Sequence, residues 1–172
     1  MRTESIFESP ALIGYLVKRL VSKHPHKQVG KTLVQKMIYL LTRRGVVDFD
    51  YSMYHYGPYS AEVAGELNFA ECAGIVKINW VDEKGYFIQP GPELDKFESL
   101  PPKNQREAID TLIERFGHFN AIELSILTTA LFLKDNFGVP DGRLAEVVHT
   151  VKSNHRLDFI EEKLRETGII KN

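Results

Sequence analysis

The chain has 172 residues, of which 43% are apolar, and a formal net charge of −1. This length and apolar content predict a buried core, in one domain or in two small domains packed together, and exclude a disordered chain. The near-neutral charge gives no overall attraction to nucleic acid or to a membrane, and a single cysteine, Cys72, excludes a disulfide framework.

The chain ends and apolar runs bear on localisation. The N-terminus lacks the apolar segment of a signal peptide. The most apolar run, residues 121–133, contains Glu123 and is too short to cross a bilayer. These features predict a cytoplasmic protein that does not bind a membrane.

The first predicted helix covers residues 9–22. Ser9 and Pro10 have the order typical of a helix start, in which a capping side chain precedes a proline in the first turn. Proline is tolerated there because its missing N–H would have no partner within the helix.

A second helix is predicted from Lys31 to a stop at Gly45. Thr32 and Gln35 have the spacing of a capping box, in which their side chains would bond backbone N–H groups at the helix start. Apolar residues recur at helical spacing on one face, and we expect that face to pack in the core. The other face, expected to be available to a partner or to water, carries Thr32, Gln35, Lys36, Tyr39 and Arg43.

An aromatic segment, residues 49–56, predicts a strand. Gly57 and Pro58 are predicted to break it, because proline fixes φ and glycine adopts angles that other residues avoid. Ser60 is then expected to cap a helix that extends to Ala73. Gly57, Pro58 and Ser60 together form a predicted structural turn.

An alternating hairpin follows this helix. Residues 75–81 alternate as in a strand, residues 82–85 turn the chain, and residues 86–88 return. Helix, strand, helix and hairpin in residues 31–90 is the order of a winged helix. The hairpin would be the wing, with Lys84 in its turn.

We therefore predict a mainly α fold with a small β-hairpin, in which residues 1–90 form a winged-helix-like domain. Residues 91–172 are predicted to form a helical C-terminal domain. Its helices are expected over residues 103–115, 121–136, 142–151 and 155–167, with caps at Asn120 and Glu123 for the second and at Asn154 for the last.

A short internal similarity links the two halves. Residues 66–77 and residues 162–171 both contain a helix that ends in glycine and continues into β-branched residues. One interpretation is that the C-terminal half is a wingless helix-turn-helix copy, and the other is a chance match.

The segment Lys31–Leu41, followed by Tyr56–Ser60 and a helix with Glu66–Leu67, resembles the YwgA-like family of bacterial and archaeal proteins. More remotely, it is similar to the Panacea, or SocA-like, antitoxin domain, whose signature is also a Lys-Leu-rich helix followed by a Gly-Pro turn. YwgA-like proteins are largely of unassigned function. Panacea domains are non-catalytic modules that neutralise toxins or act as adaptors, so this resemblance implies binding to a protein partner. The C-terminal part of the Panacea pattern is not reproduced.

Motifs for catalysis, cofactors and metals are incomplete. Gly30–Thr32 matches the end of a phosphate-binding loop, but position 25 is proline instead of the required glycine, and a helix precedes it. His24 and His26 have no third ligand nearby in sequence. We therefore predict that the protein is not an enzyme and has no cofactor and no metal.

The four tyrosines in residues 51–59 allow two interpretations. They could stack on nucleic-acid bases, or they could pack the strand against the helices. Packing is favoured, because alternation directs half of them inward. These tyrosines are Tyr51, Tyr54, Tyr56 and Tyr59.

Charge is unevenly distributed along the chain. Residues 18–44 contain eight Lys and Arg residues and no Asp or Glu. One interpretation is a binding surface for phosphates or for an acidic protein, and the other is a set of ordinary solvated faces. The helix over residues 61–73, in the place of a recognition helix, has three Glu and no Lys or Arg, and is poorly suited to a DNA major groove. The predicted site for a partner or nucleic acid is Lys18, Lys27, Lys36, Tyr39, Arg43 and Lys84.

The leading hypothesis is a non-catalytic winged-helix interaction module or adaptor, antitoxin-like or regulatory, that binds a protein partner or an acidic surface. The alternative is a DNA-binding transcriptional regulator that forms a homodimer and uses Lys84 and the basic segment. An enzyme is a distant third hypothesis.

Overall fold

The computed structural model describes residues 5–171 and is mainly helical, with two small antiparallel strand pairs. The fold class is confirmed at this level. A 3-10 turn at Leu94–Lys96 joins the two halves. The helices are α1 (Ser5–Lys23), α2 (Lys31–Arg43), α3 (Ala61–Cys72), α4 (Lys103–Phe116), α5 (Ala121–Phe137), α6 (Asp141–Val151) and α7 (Leu157–Glu166), and the strands are β1 (Ser52–Tyr54), β2 (Gly57–Tyr59), β3 (Val76–Val81) and β4 (Gly85–Pro90).

A single hydrophobic cluster runs through both halves of the chain. Leu16 of α1, Ile38 of α2, Leu127 of α5 and Val148 of α6 are fully buried members of it. Helix α2 packs on α5, and α1 packs on α4, so residues on both sides of position 90 share this core. Within residues 5–171, no single helix is long and apolar enough to span a membrane.

The start of α2 differs from the prediction. Gly30 is the N-cap, and no side chain caps the helix. The buried Gln35 amide instead donates to the Ser60 carbonyl (2.8 Å) and accepts from the Ser60 N–H (3.0 Å). The predicted capping box of Thr32 and Gln35 is therefore wrong, because Gln35 joins α2 to the start of α3. The Ser60 cap itself is confirmed, since its hydroxyl accepts from Val63 N–H at 3.2 Å.

We expect Gln35→Ala to lower the free energy of unfolding by about 1–3 kcal/mol, because the buried Ser60 N–H would lose its acceptor. Thr32→Ala is the matched control on the same helix turn and should change stability by no more than about 0.5 kcal/mol. Urea denaturation of both variants measures the difference. Equal losses would show that Thr32, as predicted from the sequence, contributes to the helix start.

The Gly57–Pro58 turn is displaced from its predicted position. Strand β1 ends at Tyr54, the chain reverses through His55 and Tyr56, and Gly57–Tyr59 returns as β2, paired antiparallel with β1. The prediction that Gly57 and Pro58 break a strand over residues 49–56 is wrong. A two-stranded ribbon tolerates Pro58 because each strand keeps a free edge.

The hairpin is confirmed where the sequence placed it. β3 and β4 pair antiparallel, with Trp80 opposite Tyr86 and Ile78 opposite Ile88. The Ile88 N–H also donates to the Val29 carbonyl (2.8 Å), so the connection between α1 and α2 bonds to β4.

Two predicted helix starts are wrong. Helix α1 begins at Ser5 and contains Pro10, because Phe7 stacks on Phe69 (5.5 Å between ring centroids) and Phe97 (5.0 Å) and so holds the preceding turn in place. Helix α7 begins after Arg156, and Asn154 does not cap it. The capping box of Asn120 and Glu123 at the start of α5 is confirmed.

The internal similarity corresponds to a shared helix ending. Gly74 (φ +72°) and Gly168 (φ +71°) each follow a helix, and the next residue's N–H donates to the carbonyl five residues before it. Gly45 (φ +72°) ends α2 in the same way. This is a common C-terminal capping motif, and residues 169–170 do not continue into a strand. The similarity therefore needs no duplicated domain to explain it.

Candidate interaction groove

Four of the eight Lys and Arg residues in the basic segment, residues 18–44, form ion pairs within the described residues. The carboxylate partners all belong to the C-terminal half. The sequence pattern of residues 18–44 therefore gave no sign of them. This pairing accounts for much of the excess charge that suggested a binding surface. The pairs are Lys18–Glu98 (2.5 Å), Arg19–Asp110 (2.7 Å), Lys23–Glu114 (3.9 Å) and Arg43–Asp135 (2.6 Å).

The expected exposed face of α2 is buried at its centre. Lys36 is 2% exposed and Tyr39 is 6% exposed, so their assignment to an exposed binding surface is wrong. The reason is that α5 and β2 pack on the face of α2 that the amphipathic pattern left open. The Lys36 ammonium donates to the Pro58 carbonyl (2.7 Å), and burial lowers its pKa to about 7. Burial raises the pKa of the Tyr39 hydroxyl, because it disfavours the charged form there as well.

Two further predicted residues have different surroundings. The Lys27 ammonium donates to the carbonyls of Gly117 (2.6 Å) and Phe119, beyond the end of α4, where a cation is favourable. Burial lowers the pKa of Lys27 to about 8. Lys84 is exposed in the turn of the β3–β4 hairpin and makes no ion pair with any residue from 5 to 171.

A groove of about 580 Å³ lies between this hairpin and the starts of α2 and α5. We call it the wing groove. No Asp or Glu within residues 5–171 lines it, whereas several Lys and Tyr residues do. Its main lining residues are Gly30, Lys31, Tyr56, Lys84, Tyr86 and Ile122.

Side-chain contacts hold the hairpin beside the start of α2. The Gln28 amide donates to the carbonyls of Lys84 and Tyr86, both at 2.9 Å. The Lys31 ammonium lies 4.0 Å from the centre of the Tyr86 ring, a cation–π contact. Tyr86 in turn packs edge-on against Trp80, with 4.9 Å between ring centroids. The wall formed by the hairpin is therefore held by contacts with Lys31 of α2 and with Gln28 in the connection before it.

The rest of the wing groove combines apolar surface with a helix start. Tyr56 is 71% exposed and Ile122 is 52% exposed. The carbonyl of Tyr56 accepts from the Ser125 hydroxyl, which ties the β1–β2 turn to α5. At Gly30, the uncapped start of α2 adds the positive end of a helix dipole.

A smaller cleft of about 350 Å³ continues from the wing groove. The two spaces share four lining residues, including Thr32 and Tyr56. We call the second space the Lys152 cleft, because it is lined by Lys152, which is 6% exposed.

Sequence reasoning missed most of this surface. Of the predicted binding residues, the fold brings only Lys27 and Lys84 to the wing groove. Of the four tyrosines, Tyr51 packs inward and donates to the Gln35 carbonyl (2.9 Å), whereas Tyr54 at the end of β1 and Tyr56 in the following turn are exposed. Among the missed residues, Lys31 carried a signal in the basic segment and Tyr56 in the tyrosine cluster. Tyr86 carried one too, since hairpin pairing places it opposite Trp80.

Comparison with known proteins adds no assignment. No protein-family model matches the chain. No curated protein matches it either. Within residues 5–171, no group of three or more His, Cys, Asp or Glu residues could hold a metal ion.

Proposed function

We propose that this protein is a non-catalytic interaction module that binds an acidic segment of a protein partner in the wing groove. The observation that carries the proposal is the composition of this groove. Lys31 and Lys84 are free of ion pairs within the described residues, Tyr56 and Ile122 offer exposed apolar surface, and no carboxylate lines the space. Such a surface complements a negatively charged chain with apolar side chains.

The order of elements supports a winged-helix-like module as the framework. Helices α1, α2 and α3 are followed by the β3–β4 hairpin, and Val29 between α1 and α2 bonds to β4 as an added edge. The β1–β2 pair is then an insertion between α2 and α3. An adaptor or antitoxin-like role also agrees with the remote resemblance to the Panacea domain, whereas the resemblance to the YwgA-like family implies no particular role.

A dimeric DNA-binding regulator is the second candidate. Lys84 in the exposed hairpin turn favours it, since wing residues can reach a phosphate backbone. The exposed residues of α3 include Glu62 and Glu71 and no Lys or Arg, so this helix would be repelled by the phosphates that border a major groove. The protein-binding role is therefore preferred.

Reversing the charge of Lys31 and Lys84 together to Glu should weaken binding of an acidic peptide by at least about tenfold, because two favourable charge contacts become repulsive. The probe is an end-blocked, fluorescein-labelled peptide of alternating Glu and Tyr, with a Gln-Tyr peptide for comparison. Fluorescence anisotropy at two salt concentrations measures the affinity, which should fall as salt rises.

Arg44→Glu is the matched control, since Arg44 is exposed, lies outside the wing groove and makes no ion pair within residues 5–171. It should leave the peptide affinity within about twofold and stability within about 0.5 kcal/mol. Equal affinity of the parent for the Glu-Tyr and Gln-Tyr peptides would contradict the proposal. Tight binding to random duplex DNA that is lost in Lys84→Glu would favour the regulator instead.

A further inference from the structure

The Lys152 side chain is largely buried, and its ammonium has no protein partner within residues 5–171. Lys152 follows the last residue of α6 and is 6% exposed, and its ammonium makes no hydrogen bond or ion pair with any residue from 5 to 171. Its side chain nevertheless lines the Lys152 cleft, so an entering molecule could reach it.

The surroundings of Lys152 supply no compensating carboxylate. No Asp or Glu within the described residues lines the cleft, and Lys36 lies close enough for its pKa to be lowered by the charge of Lys152. Burial lowers the pKa of Lys152 itself. Buried ammonium groups in proteins are ordinarily paired or hydrogen-bonded. Lys36 meets this rule by donating to the Pro58 carbonyl, whereas Lys152 has no partner among the described residues, and an anion in the cleft would supply one.

The other polar groups define the chemistry of that anion. The Thr32 hydroxyl and the Asn154 amide are donors among the residues lining the cleft, together with the rings of His55 and His155. No arginine lines the cleft, whereas two-pronged recognition of phosphate favours arginine. One ammonium with neutral donors matches a single negative charge, as on a carboxylate.

We infer that the Lys152 cleft binds one carboxylate, supplied by an acidic side chain of the partner segment in the wing groove. This inference rests on the proposed function, because the partner must occupy the wing groove to present that side chain. Thr32, Tyr56 and Ile122 line both spaces, so an extended chain in the groove passes the mouth of the cleft.

The cleft can be tested without the partner by titrating the protein with sodium acetate at constant ionic strength, with sodium chloride as the balancing salt. In NMR spectra of the parent, the Lys152 side-chain resonances and the Thr32 and Asn154 amides should shift and saturate with acetate. Linear shifts without saturation, or equal shifts with chloride, would overturn the inference. This first readout uses the parent alone and does not depend on a variant folding.

Lys152→Met should weaken acetate binding by at least about tenfold, because a charge-assisted hydrogen bond is lost. Lys77→Met, which removes an exposed lysine of β3 outside both the cleft and the wing groove, should leave acetate affinity within about twofold. Phosphate that binds through Lys152 more tightly than acetate would overturn the choice of a carboxylate. The acetate result is independent of the peptide experiment. In that experiment, unchanged peptide affinity of the Lys31 and Lys84 double variant would refute binding in the wing groove itself.

Discussion

Replacing Gly57 by alanine is expected to lower the free energy of unfolding by about 2–4 kcal/mol. Gly57 is buried at φ +97°, a region that residues with a side chain rarely adopt. An added Cβ would lie 2.6 Å from Thr129 Oγ1 and 3.3 Å from the Ser125 carbonyl oxygen. Backbone strain and steric overlap with α5 therefore act together. Urea denaturation of parent and variant measures the loss.

Gly138→Ala separates these two causes. Gly138 also has a positive φ (+62°), but an added Cβ would have no atom within 4 Å. Only the backbone penalty should appear there, about 1–2 kcal/mol. If both variants lost the same stability, contact with Thr129 and Ser125 would have no part in the cost.

Stability of the parent should rise between pH 7 and pH 9, and Lys36→Met should flatten that rise. The folded-state pKa of Lys36 is about 7, below its ordinary value of 10.5, because burial disfavours the charged form. Between these two values the unfolded chain binds more protons than the folded chain, so the free energy of unfolding increases with pH. One such group contributes a slope of up to about 1.4 kcal/mol per pH unit.

Urea denaturation at pH 7, 8 and 9 tests this prediction. Lys27 and Lys152 also have lowered pKa values and act in the same direction, so Lys36→Met should reduce the slope without abolishing it. Lys77→Met, at an exposed position of β3, is the control and should keep the parent's slope. A Lys36→Met slope equal to that of the parent would show that Lys36 titrates near its ordinary pKa in the folded protein.

The burial of Lys36 also explains why two separated motifs occur together. The Lys-Leu-rich helix α2 and the Gly57–Pro58 segment lie apart in sequence, and in the fold the Lys36 ammonium of the first donates to the Pro58 carbonyl of the second. Because Gly57 has no side chain, the β1–β2 ribbon can lie close to α5 at the position next to this hydrogen bond. Both motifs can therefore be explained as parts of one packing arrangement.

Sequence by itself determined the features that depend on neighbouring residues. The Asn120–Glu123 capping box, the Ser60 cap and the glycine stop at Gly45 are each formed within a few residues of the chain. The β3–β4 hairpin is similarly local, since its turn joins strands that are adjacent in sequence. Their short range is why periodicity and capping chemistry were sufficient to predict them.

Tertiary structure alone decided which charges are available for binding. Lys18, Arg19 and Arg43 looked free because their carboxylate partners lie 80, 91 and 92 residues further along the chain. Lys36 looked exposed because nothing in the pattern of α2 shows that α5 covers its second face. The wing groove likewise forms only where the starts of two helices, a turn and a hairpin meet. Local sequence patterns carry no signal for such contacts, because these are fixed by how distant segments pack and which charges that packing neutralises.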